Sequence, residues 1–102
     1  MIVLDLNEIE LSQAGTAGGP IRVAFPFHSG TGTASTAAVL FELEPGSALA
    51  THTDSAEEVL LILEGEGEAQ VGDENGRVRA GQVAIVPAMA PHGIRNLGVT
   101  TL

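Results

Sequence analysis

Residues 46–65 read GSALATHTDSAEEVLLILEG, and whether the second half of this stretch is helix or strand decides the fold. Ser55-Ala56-Glu57-Glu58 has the form of a helix capping box, which would turn Glu58 back toward the Ser55 amide. Against a helix, Val59 to Leu63 are apolar without a break and give no helical stripe. Gly65 would also stop such a helix after only about nine residues. Local propensity leaves the two readings nearly balanced. Spacing favours the strand: Gly46-x5-His52-x-Asp54-x3-Glu58-x6-Gly65 is followed by Gly81-x5-Pro87-x4-His92-x3-Asn96. On a strand, His52 and Asp54 point to the same face. Imidazoles and carboxylates converging from different strands suit a divalent transition metal and leave coordination positions for a substrate.

Outward from this stretch, short apolar or alternating segments recur between turn signals, the pattern of an all-β sandwich or barrel. Strands are expected at residues 2–6, 21–25, 37–43, 48–52, 58–63, 68–71, 77–79, 83–86 and 93–96, with a terminal piece near Val99. Asn75-Gly76 signals a tight hairpin, since both residues tolerate positive φ. Further reversals are expected at residues 44–47, 64–67 and 79–81, and loops at the Gly/Thr/Ser-rich stretches 15–19 and 29–35. Along 58–63, Val59, Leu61 and Leu63 fall on one face, and Leu60 and Ile62 on the other. A strand apolar on both faces needs cover on both, from a second sheet or a partner subunit, so a homodimer is expected.

The chain has 102 residues, room for one domain spanning 1–102. Its core must be built from aliphatic residues, because only Phe25, Phe27 and Phe41 are aromatic. Thirteen acids against four arginines and no lysine give a net charge of −9. Such a surface lacks the basic patch that phosphate or anionic lipid recognition needs, so neither nucleic acid nor membrane is an expected partner. The longest apolar run is far too short to span a bilayer. The N-terminus carries acids rather than the basic start of a secretory signal. With no cysteine, any metal must be held by nitrogen and oxygen, and a cytoplasmic location is expected.

The two spaced patterns resemble the paired signature motifs of the cupin family, G-x5-H-x-H-x3/4-E-x6-G and G-x5-P-x-G-x2-H-x3-N. Gly46, His52, Glu58 and Gly65 match the first, and Gly81, Pro87, His92 and Asn96 the second. The resemblance covers about residues 37–96. It implies an antiparallel, double-sheet jelly-roll β-barrel with any metal held inside it. Two positions depart from it. Met89 stands where the second motif has Gly, read as a change in loop packing. Asp54 stands where the first has its second His, which alters the donor set from three imidazoles and a carboxylate to two imidazoles with one or two carboxylates.

The expected metal residues are thus His52, Asp54, Glu58 and His92, around one divalent ion, with Fe, Mn, Zn and Ni all open. Asp54 is open between ligand, partner of a ligand and solvated turn residue. His92, among apolar neighbours, could instead be a buried imidazole bonded to a carbonyl. Glu57 and Arg95 should face outward by parity, Pro87 should close a turn, Asn96 should satisfy backbone groups, and His28 has no role in the motifs. The donor set resembles the facial set of non-haem iron oxygenases. A dioxygenase or isomerase acting on a small oxygenated metabolite is the first expectation. A non-catalytic small-molecule-binding or sensor domain with weak or no metal is the alternative. Only residues 97–102 follow Asn96, so the closing strand is expected to be short or the chain to be part of a longer one.

Overall fold

The computed structural model describes residues 1–16 and 18–102. It contains nine antiparallel strands: β1 (Ser12–Thr16), β2 (Gly19–Phe27), β3 (Ala38–Leu43), β4 (Ala48–His52), β5 (Glu58–Leu61), β6 (Glu66–Val71), β7 (Glu74–Arg79), β8 (Val83–Val86) and β9 (His92–Asn96). Two short 3-10 turns, at Leu6–Glu8 and Ser29–Thr31, are the only helical elements among the described residues. The strands form three ladders, ordered β1-β2-β3, β4-β9-β6-β7 and β5-β8. From β4 onward the antiparallel pairing is nested: β4 meets β9, β5 meets β8, and β6 meets β7. One long hairpin wound on itself in this way is a jelly roll, as expected from the sequence.

The inner faces of the three ladders meet in one aliphatic core. Ile21, Leu43, Ile62 and Ile94 are its buried centre, with Phe41, Leu49, Leu60, Val78 and Leu102 packed against them. The chain end is anchored, since Leu43 and Leu102 exchange both backbone hydrogen bonds. Buried Asn96 fixes the turn that follows it. Its amide donates to the carbonyls of Leu43 and Thr100, and its oxygen accepts from the Gly98 N–H. This is the backbone-satisfying role expected from the sequence.

Several local expectations are corrected. The deciding stretch is strand at Glu58–Leu61, with no helix, but the ladder ends two residues before Leu63. Residues 2–5 join no strand, and Leu6 opens the first 3-10 turn instead of ending a strand. Asp5 then accepts from the Asn7 N–H and turns the chain. Of the expected loop at 15–19, Gly15 and Thr16 belong to β1 and Gly19 to β2, while Ala17 lies outside the described residues. The polar segment Ser12–Thr16 becomes a strand only because β2 offers it an edge.

The hairpin turn between β6 and β7 is at Gly72-Asp73, with Gly72 at φ 58°, and Asn75-Gly76 lies inside β7. This register sets Glu66 opposite Arg79, Glu68 opposite Arg77, and Val78 on the core face. A turn at Asn75-Gly76 would forfeit those cross-strand pairs of opposite charge.

Candidate metal centre

His52 ends β4 and His92 begins β9, and the two are direct register partners across that ladder. Their ring centroids are 4.2 Å apart. His52 Nδ1 lies 2.8 Å from the Ala50 carbonyl, and His92 Nδ1 lies 2.9 Å from the Ala90 carbonyl. A carbonyl oxygen can only accept, so each Nδ1 carries the donated proton and each Nε2 is turned to the cluster. A backbone carbonyl on the far nitrogen is the usual way a metal-binding imidazole is oriented. His92 is therefore bonded to a carbonyl, one of the two roles read for it, and aims its other nitrogen at the cluster.

The carboxylates come from the segment between β4 and β5. Asp54 Oδ2 is 3.3 Å from His52 Nε2 and 3.5 Å from His92 Nε2. Donor atoms about 2.0–2.2 Å from one ion stand roughly 3–3.5 Å apart when they are neighbours in its shell. His52, Asp54 and His92 each offer a donor atom, all within 4.8 Å of one another, and can hold a metal ion.

Glu58 begins β5, and its Oε2 is 2.6 Å from His92 Nε2. That oxygen is buried and makes no hydrogen bond. A buried carboxylate oxygen without a hydrogen bond is costly unless a positive charge stands beside it. A cation shared with the other donors would remove that cost, so the residues present fit a metal. The donors are two imidazole nitrogens and carboxylate oxygens, suited to Fe, Mn, Zn or Ni.

The structure thus brings together all four expected site residues. It places Glu57 outside and exposed, and His28 elsewhere, where its Nδ1 accepts from the Gly30 N–H and caps a turn. Pro87 closes a turn in which the Ala90 N–H donates to the Pro87 carbonyl.

Met89 corrects the sequence reading. Its side chain is exposed, so it does no loop packing, and its backbone is left-handed at φ 64°. Glycine adopts that conformation freely, whereas methionine does so at a cost of about 1–2 kcal/mol. Its N–H donates to the Asp54 carbonyl, so the β8–β9 loop is fastened to the Asp54 segment.

The centre is open on one side. His92 is only 10% exposed, but His52, Asp54 and Glu58 are 37, 46 and 41% exposed. A cleft of about 350 Å³ lies between β6–β7 and β8, and none of the four donors lines it. Two of its lining residues adjoin the donors: Val71 pairs with His92, and Pro87 follows Val86, which pairs with Glu58. The sequence reading missed this cleft. Its middle is hollow because Ala69, Gly76 and Ala84 are small, a signal visible only once the register is known.

Comparison with known proteins agrees with this geometry. The family model described as "Cupin domain" matches residues 39–102. No curated protein matches the chain. Among solved structures, a predicted oxalate decarboxylase of Thermotoga maritima is similar with a TM-score of 0.87 at 25% identity, over 99% of this chain and 92% of that one. The polyketide cyclase RemF of Streptomyces resistomycificus gives 0.81 at 18% identity, over 99% and 73%. A cupin 2 conserved barrel domain protein of Rhodopseudomonas palustris gives 0.78 at 20%, over 93% and 67%. The last two share the fold alone at those identities. With both spaced motifs, the nested strand order and a family match over residues 39–102, the chain belongs to the cupin family.

Proposed function

We propose that this cupin holds one divalent transition metal through His52, Asp54, Glu58 and His92, and acts there on a small oxygenated metabolite by dioxygenation or isomerisation. The observation that carries the reading is the convergence of His52, Asp54 and His92 donor atoms within 4.8 Å of one another. When bound, the ion would supply Lewis acidity or a redox couple at positions left free for substrate. The chain's own part is orientation. The Ala50 and Ala90 carbonyls hold the imidazoles in one tautomer, and the Met89 N–H steadies the Asp54 backbone. The cleft beside Val71 and Pro87 receives the body of the ligand.

The test is metal content. Protein purified without chelator should carry one ion per chain, and His52→Ala and His92→Ala should each lose most of it. A wild type without stoichiometric metal, or metal unchanged in both variants, would sink the proposal.

The exposure of three of the four donors favours a second reading, a non-catalytic binding or sensor domain. A centre so open gives little protection from water to a reactive species. That reading expects a small ligand to raise the melting temperature of metal-stripped protein. Ligand stabilisation that vanishes with the metal would count against it. Two further expectations belong to the proposal. The molecule works as a homodimer, motivated by the apolar outer face of β5–β8. It works in the cytoplasm, motivated by the cysteine-free composition. No helix of the described residues is long and apolar enough to cross a membrane.

A further inference from the structure

Resting on the metal-centre reading, we propose that the centre takes an uncharged oxygen-bearing ligand, a hydroxyl or carbonyl compound with a short apolar body, and discriminates against dicarboxylate dianions. The first ground is the donor set. Asp54 and Glu58 together cancel the charge of a divalent ion, so the filled centre is neutral. With a histidine at position 54 it would keep one positive charge to attract an anion.

The second ground is the placement of cations. The chain has no lysine, and each of its four arginines lies exposed on the outward side of its strand. Arg22 pairs with Glu42, Arg77 and Arg79 stand opposite Glu68 and Glu66, and Arg95 stands between buried Ile94 and Asn96 and opposite Glu68. None is on the face that His52 and His92 share, so none is set to pair with a second carboxylate of a substrate.

The third ground is the cleft. Ala69, Val71, Val78, Ala84 and Pro87 supply the apolar half of its lining, and its one ionisable lining residue is Glu74, an acid. Glu74 pairs with Val71, which pairs with His92, so the carboxylate stands in the same cross-strand row as the metal donors. A dianion here would lose water, find no arginine or lysine beside the ion for its second carboxylate, and face a third negative charge. An uncharged ligand meets none of these penalties.

The experiment uses three probes of one frame: oxalate, oxamate and oxamide, carrying two, one and no negative charges. Each is titrated calorimetrically into Mn2+-loaded wild-type protein at low ionic strength, where charge effects are least screened. On the wild type, the oxalate-to-oxamide affinity ratio should fall about tenfold or more below the ratio for free Mn2+ in the same buffer. In Asp54→His the ratio should shift toward oxalate by about tenfold or more, the scale of one added charge at a partly solvated site. Glu74→Gln, an exposed change outside the donor set, should shift it the same way by a smaller factor. An oxalate-to-oxamide ratio on the wild type equal to or above that for free Mn2+, or ratios unchanged in both variants, would overturn the proposal alone. Protein that retains no Mn2+ would overturn the metal-centre reading and this inference with it.

Discussion

Asn96 shows how much one side chain organises at the base of the barrel. It is 2% exposed, and both ends of its amide are engaged with backbone groups on either side of the chain end. Asn96→Ala should cost about 3 kcal/mol, because it strands buried backbone acceptors and a donor that water reaches poorly. Urea denaturation would measure this, and a loss under about 1 kcal/mol would contradict the role assigned. At this scale the sequence was informative where spacing fixed chemistry. The convergence of His52, Asp54, Glu58 and His92 and the backbone bonds of Asn96 were legible, because their two motifs constrain type and position together. Met89 is the exception: methionine gives no signal of a left-handed backbone, and only the glycine that the second motif has at this position points to it.

At the scale of elements, strand existence was more legible than strand partners. β4 and β8 have the bounds the sequence suggested, since turn residues bracket them closely. The β6–β7 turn was misplaced because two positive-φ signals, Gly72 and Asn75-Gly76, compete, and only long-range charge pairing chooses between them. The apolar doublet faces of β5 were legible as well. Inward, Leu60 and Ile62 join the core; outward, Val59, Leu61 and Leu63 stay exposed, alongside Val83 and Ile85 of β8. Val59 pairs with Ile85 and Leu61 with Val83, so these side chains form one continuous apolar patch.

A second copy of the chain is the occupant proposed for this patch. An uncharged apolar surface is complementary to itself about a twofold axis, whereas surfaces rich in the chain's excess acids repel their own copies. The wild type should sediment as a dimer, more firmly at high salt as repulsion is screened. Leu61→Asp should give a monomer with near-normal folding stability. A monomeric wild type at high salt would refute the dimer.

For the whole molecule, the nested order of pairing has a kinetic consequence. The β6–β7 hairpin closes over two residues, whereas β4 and β9 meet only after the intervening chain has been gathered. Closing the small loop first lowers the entropy lost in each later closure. His52 and His92 lie on that outermost pair, so the pocket they build would exist only after the barrier to folding has been crossed. An ion seated there would act as a latch on the finished molecule and give no help to its assembly. In stopped-flow experiments, saturating Mn2+ should slow unfolding severalfold and leave the refolding rate nearly unchanged. Acceleration of refolding by the metal, with unfolding unaffected, would reverse that order of events.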